Sequence, residues 1–186
     1  MSLRAAATSA LLAYDPPDEH QARLRTDFLA LLAARDDGVW RSCAPAHVTA
    51  SAVVLDPGRR AVLLVLHNKV KRWLQPGGHC EPGDVSLAAA ALREATEETG
   101  VEGLDLLPGV VDLDRHPAPC RPGIVEHHLD VRHLLVAPSG ATAVASAESL
   151  DVRWFAWDSL PEDIEPSIVR MVASARARLT GHHPSR

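Results

Sequence analysis

Apolar positions in this chain follow two rhythms, and the switches between them divide it into elements. Residues 19–34 interleave charged side chains with Leu24, Phe28, Leu31 and Leu32, a spacing that gathers the apolar groups on one stripe of an amphipathic helix. Residues 47–55 and 61–67 are instead short runs rich in Val, Leu and Ala. Asp56-Pro57-Gly58 between them has turn chemistry, so the pair reads as two connected strands. Trp73-Leu74-Gln75-Pro76 carries extended chain into a glycine loop at Gly77 and Gly78. A helix is expected next. Asp84 or Ser86 can cap its start, Ala88, Leu92, Ala95 and Thr99 form a small apolar stripe suited to packing on a sheet, and Gly100 can end it in the left-handed conformation. Further strands are predicted over 106–113, 125–137 and 152–157, with a proline-rich loop at 117–122 and a small, polar loop at 139–149. A terminal helix over 166–179 is approached through Pro161 and Pro166. Strands, helix, strands and helix in this order give a mixed α/β sheet covered by helices.

Composition narrows the class. The 186 residues fit one domain with a substantial core, and 46% hydrophobic against 23% charged residues is a globular balance. The expected organisation is a helical extension over 1–45 packed on a core domain over 46–182. A formal net charge of -5 with no basic stripe argues against a nucleic-acid partner. Cys43, Cys80 and Cys120 are too few and scattered for a disulfide framework or a CxxC zinc site, which points to a reducing, cytoplasmic setting. Residues 1–14 are small and apolar with one Arg, as in a targeting segment, but Thr8 and Ser9 break the run and Asp15-Pro16-Pro17 follows, so that reading is set aside. No stretch approaches the roughly 20 apolar residues that span a bilayer, and no membrane partner is expected.

One arrangement is electrostatically wrong for a free helix. Glu94, Glu97 and Glu98 stand at i, i+3 and i+4, so three like charges share one stripe, just before Gly100, where the macrodipole is negative. The bland reading is an exposed acidic helix end. The chemical reading is a cation site. Clustered carboxylates suit hard ions, so Mg²⁺ or Mn²⁺ is favoured over Zn²⁺, and the adjacent glycine loop suits metal-bridged phosphates.

These residues carry a family resemblance. The run resembles the Nudix box, G-x5-E-x7-R-E-U-x-E-E-x-G-U with U aliphatic: Gly78, Arg93, Glu94, Glu97, Glu98, Gly100 and Val101 match, and Ala95 fills the first U. Asp84 stands where the pattern has Glu, and eight residues rather than seven separate it from Arg93. That puts any chemical role for Asp84 in doubt and leaves it supporting the loop. The resemblance implies a Nudix-type α/β/α sandwich and a Mg²⁺-dependent hydrolase, with Mn²⁺ as the alternative ion. Its substrate would be the pyrophosphate bond of a nucleoside diphosphate joined to another group. It further implies that Glu94, Glu97, Glu98 and the carbonyl of Gly77 hold the metal, and that Arg93 orients a glutamate. The general base is open among Glu97, Glu126, Glu148 and a histidine. Two alternatives stand beside the hydrolase: a Nudix-fold isomerase of a prenyl diphosphate, and a nucleotide-sensing module without turnover.

Outside the box, residues 126–133 alternate as a strand that places His128, Asp130 and Arg132 on one face. His128 with Asp130 can bind metal or substrate and Arg132 can take a phosphate, or the face can be an internal salt bridge with satisfied histidines. Trp73 can line the site and stack on a base, whereas Trp154 beside Phe155 reads as packing. Lys69, Lys71 and Arg72 either meet a phosphate or form an exposed turn. Cys80 has no evident activating base and is read as structural. Selectivity is expected in the loops at 117–122 and 139–149, and a homodimer is one expected assembly.

Overall fold

The computed structural model describes residues 1–118, 124–147 and 149–181. Seven strands, β1 (Ala46–Leu55), β2 (Ala61–His67), β3 (Trp73–Leu74), β4 (Gly77–His79), β5 (Asp105–Pro117), β6 (His127–Val136) and β7 (Ser149–Ala156), form one mixed sheet. Its main path runs β3-β2-β1-β6-β5, with β7 joined to β2. The central strand β1 runs parallel to β6 along its length. Its other edge is divided: Val54 and Leu55 pair with β2, while Thr49, Ala50 and Ser51 pair with β4.

Side-chain alternation gives β1 two faces. Val48, Ala50, Ala52 and Val54 enter the core beneath α1 (Leu3–Ala13), α2 (Glu19–Ala34) and α3 (Leu87–Thr99). Val53 and Leu55 point the other way, into a second core with Ile168, Met171, Val172 and Ala175 of α4 (Pro166–Thr180). The result is the α/β/α sandwich that the element order implies. On the α4 face, alternation places His47, Thr49 and Ser51 ahead of Val53 and Leu55, so that face is apolar at one end and polar at the other.

One feature adds to the sequence reading and another differs from it. The segment weighed as a targeting sequence is a folded helix, α1, that buries Leu3, Ala7 and Leu11; its run of alanines offers little polar contrast from which to read a helix. It is fastened through Gln21, which is 1% exposed and whose amide behaves as a peptide group toward β5. That amide accepts the Leu113 N–H at 2.8 Å, donates to the Leu113 carbonyl at 2.9 Å and accepts the Tyr14 hydroxyl at 2.9 Å. Strand β5 also continues to Pro117 rather than ending near Leu113. Its polar alternation, Asp112, Asp114 and His116, is accommodated because cations and a histidine face it across the sheet.

Candidate active site

Helix α3 begins at Ser86, whose hydroxyl accepts the Ala89 N–H at 3.1 Å, and ends at Gly100 with φ 66°. The buried stripe is Leu87, Ala90, Ala91, Ala95, Glu98 and Thr99. It is turned by about one residue from the Ala88-Leu92 stripe expected from sequence, and the turn matters because it carries Glu98 onto the sheet-facing side. There Glu98 is 8% exposed, and its Oε2 accepts the Gly77 N–H at 2.9 Å. Glu94 is half-buried and Glu97 exposed, so the three carboxylates are graded in depth.

Strand β4 lies close against its neighbours at its two glycines. A Cβ on Gly77 would stand 2.2 Å from the Ser51 Cβ and 2.6 Å from its Cα, and one on Gly78 would stand 2.7 Å from Glu94 Oε1. The third residue, His79, offers its carbonyl to Arg93 Nη2 at 3.0 Å. Arg93 also holds Asp84 bidentately, at 3.2 and 3.1 Å, and donates through Nη1 to Glu94 at 3.0 Å and Glu97 at 3.1 Å. Although burial alone would raise the Asp84 carboxyl, the Arg93 hydrogen bonds and the Glu81 N–H outweigh it and hold it below the usual carboxylate range. The guanidinium therefore spaces the glutamates and ties them to the loop. The donor set of carboxylates and a loop carbonyl fits a hard divalent ion.

The candidates on β6 divide. Arg132 is 1% exposed, and every guanidinium nitrogen is engaged. Nε meets Asp130 at 3.2 Å, Nη1 meets Asp112 at 2.9 Å and the Ser167 carbonyl at 2.9 Å, and Nη2 meets Asp114 at 3.3 Å. Arg170 of α4 joins the same carboxylates, at 3.2 Å from Asp112 and 2.7 Å from Asp114. This corrects Arg132 as a phosphate ligand: its donors are consumed in fixing β5 and β6 to α4. Asp130 is likewise spent, accepting from Thr49 at 3.1 Å, Ser51 at 2.6 Å and Gln75 at 3.1 Å. Asp112, fully buried, has its carboxyl raised because desolvation exceeds the pull of Arg132 and Arg170.

Trp73 packs edge-on against Phe155 with centroids 4.8 Å apart, and Arg153 lies over its ring at 5.7 Å. Trp154 packs on the core beneath α3. Arg72 pairs with Glu165 at the start of α4, and Lys71 donates to Asn68 at 3.0 Å in an exposed turn. Cys80 is buried, which pushes its thiol up to about 12 and leaves it a poor thiolate. Glu126 is exposed at the entrance to β6; Glu148, Cys120 and most of the loop at 117–122 lie outside the described residues.

What the sequence reading did not bring together is a histidine cluster. The parallel register sets His47 opposite His128, and the antiparallel one sets His79 opposite Thr49. The three rings stand 5.0 to 5.1 Å apart between centroids, and their ligand nitrogens all lie within 4.8 Å of one another. His116 meets His128 edge-on at 5.4 Å, its Nδ1 3.1 Å from Asp114. Burial, then His47 and Arg41, lowers His79 to about 4; burial, then His116, His79 and His47, lowers His128 to about 3. Only the strand order could have revealed the cluster, because its members are distant in sequence.

A glycine-bearing strand, a carboxylate-bearing helix packed against it and a mixed sheet between helices define an α/β/α sandwich with a carboxylate cluster at one helix end. The family model of the NUDIX domain matches residues 45–175, and the chain belongs to the Nudix hydrolase family. Among solved structures it is similar to an Ap4A hydrolase of C. elegans in a binary complex, with TM-score 0.60, 19% identity, and coverage of 73% of this chain and 98% of that one. It is similar also to a Nudix-family hydrolase of Clostridium perfringens, with TM-score 0.57, 22% identity, and coverage of 71% and 97%. A third is an ADP-ribose pyrophosphatase of Streptococcus suis, with TM-score 0.51, 21% identity, and coverage of 69% and 91%. No helix among the described residues is long and apolar enough to cross a membrane.

Proposed function

We propose that this protein is a Mg²⁺-dependent hydrolase that cleaves the pyrophosphate bond of a nucleoside diphosphate joined to another group. The observation that carries the reading is the box itself: three glutamates on one helix end, graded in depth, two of them bridged by Arg93, against a strand where a Cβ at Gly77 would meet backbone and one at Gly78 would meet Glu94. The fold neighbours whose names specify Ap4A and ADP-ribose act on compounds of that class, which supports a nucleotide derivative as substrate.

Glu94, Glu98 and the Gly77 carbonyl are the residues that would hold the ion, with Glu97 as a further ligand or as the group that orients water. When bound, the ion supplies charge neutralisation of the diphosphate oxygens. Glu97, exposed and held at one oxygen by Arg93, is positioned to accept a proton from the attacking water. Glu98 keeps its orientation through the Gly77 N–H, and Arg93 Nη1 bridges Glu94 and Glu97, offsetting their mutual repulsion. Water attack at phosphorus breaks the anhydride bond and gives two phosphate products.

The test is a product-resolved screen of sugar nucleotides, dinucleoside polyphosphates, dinucleotide cofactors and oxidised nucleoside triphosphates, run with Mg²⁺ and with Mn²⁺. Release of a nucleoside monophosphate or phosphate that stops on chelation is expected. Binding without turnover across the whole panel, or rearrangement of a prenyl diphosphate without phosphate release, overturns the proposal.

A further inference from the structure

On the polar end of the α4 face, across the sheet from α3, lie the rings of His47, His79 and His128. A nitrogen ligand about 2.1 Å from an ion, with an imidazole ring radius of about 1.1 Å, puts each ring centroid about 3.2 Å from the metal. Tetrahedral angles then separate two such centroids by about 5.2 Å, and octahedral angles by about 4.5 Å. The observed separations of 5.1, 5.0 and 5.1 Å form a nearly equilateral triangle close to the tetrahedral value. The ligand nitrogens all lie within 4.8 Å of one another, a range that includes the roughly 3.4 Å separation of two nitrogens on a tetrahedral ion.

A second observation concerns orientation. His47 is fully buried, and its Nδ1 lies 3.1 Å from the Cys43 carbonyl, which can only accept; Nδ1 therefore carries the proton and Nε2 the lone pair. A backbone carbonyl behind one ring nitrogen is the outer support that metal-bound imidazoles use. His79 and His128 are only half-buried, so an ion can reach the cluster.

We infer that His47, His79 and His128 form a second metal site, chemically distinct from the glutamate site, that takes a borderline divalent transition ion of the Zn²⁺ class. Three neutral nitrogens without a carboxylate in the set suit Zn²⁺ or Co²⁺ and disfavour Mg²⁺. Three protein ligands leave a fourth position open to water or to an oxygen of a bound ligand. The site stands independently of the hydrolase reading.

The test is titration of the metal-stripped full-length protein with Co²⁺ in the presence of excess Mg²⁺, followed by visible absorption and calorimetry. One equivalent with the intense bands of four-coordinate cobalt is expected, displaced by Zn²⁺. His128→Gln and His79→Gln should each weaken binding about 100-fold or more, while Glu98→Gln should retain it. No visible bands in the wild-type protein, binding that survives His128→Gln, or binding lost in Glu98→Gln overturns the inference. His128 is half-buried, so its variant stays informative where His47→Gln fails to fold. Hydrolysis measured on the same samples separates the two readings: Co²⁺ binding without any turnover sinks the hydrolase, and Mg²⁺-driven turnover without Co²⁺ binding sinks the histidine site.

Discussion

Replacing Glu98 by Gln should separate stability from activity. The amide keeps the shape of the carboxylate, and its oxygen can still accept the Gly77 N–H now bonded at 2.9 Å. Two like-charge neighbours remain, Glu94 four residues before and Glu97 one before, and each repulsive i,i+4 pair on a helix costs about 0.2–0.5 kcal/mol. Losing one charge from a side chain that is 8% exposed should therefore leave the metal-free protein as stable as before or slightly more so. Activity moves the other way. A unit charge about 4 Å from the reacting centre is worth about 4 kcal/mol at an effective dielectric near 20, which is about 10³ in rate. The assay pairs thermal unfolding without metal with steady-state hydrolysis at saturating Mg²⁺. A variant within about tenfold of wild-type turnover would refute the metal-carboxylate reasoning. A midpoint lowered by several degrees would show instead that Glu98 chiefly anchors the strand.

Three further outcomes are expected. Arg132→Met strands Asp112, Asp114 and Asp130 against one remaining arginine, so stability should fall by about 3–5 kcal/mol and the melting midpoint by about 6–20 °C, with Asp112→Asn in the same chain restoring part of it; differential scanning calorimetry reads both. Gly77→Ala should cost about 1–3 kcal/mol because its Cβ meets backbone, whereas Gly78→Ala should unfold normally but lose turnover because its Cβ displaces the Glu94 carboxylate; equal effects on both readouts would count against this division. His133, 2% exposed, has its folded pKa lowered by burial to about 4 against about 6.5 unfolded, so the unfolded chain binds a proton that the native one refuses. That contribution is intact above pH 6.5, is lost as pH falls toward 4, and amounts to about 3 kcal/mol, so His133→Gln should flatten urea-measured stability across that window.

The parts legible in the sequence are those where a local pattern decides the outcome. Residues 19–34 form α2 at the predicted bounds because their apolar spacing is helical and Asp18 caps the start. The box glutamates were legible because three like charges on one stripe conflict with helix stability unless something else is gained. Harder to read were features set by partners far along the chain. Arg132 looked like a phosphate ligand because its carboxylates come from β5 and its second arginine from α4. His47 and His79 carried no signal until β1 was placed between β4 and β6. Helix α1 needed Gln21 and Leu113, 92 positions apart, to make a place for it.

Strand β4 has consequences for where this chain tolerates changes in length. Its three residues are committed separately: Gly77 to Glu98, Gly78 to the space beneath Glu94, and His79 to Arg93 through its carbonyl and to the other histidines through its ring. Insertion of one residue there would move every following side chain to the opposite face and turn the imidazole away from its neighbours. A few residues downstream the constraint disappears. The extra position between Asp84 and Arg93 still leaves Asp84 in a bidentate grip, because the chain is free to loop before the Ser86 cap. Length variation is therefore absorbed ahead of the helix, while the strand keeps a fixed count that holds the glutamates and the histidines at one separation.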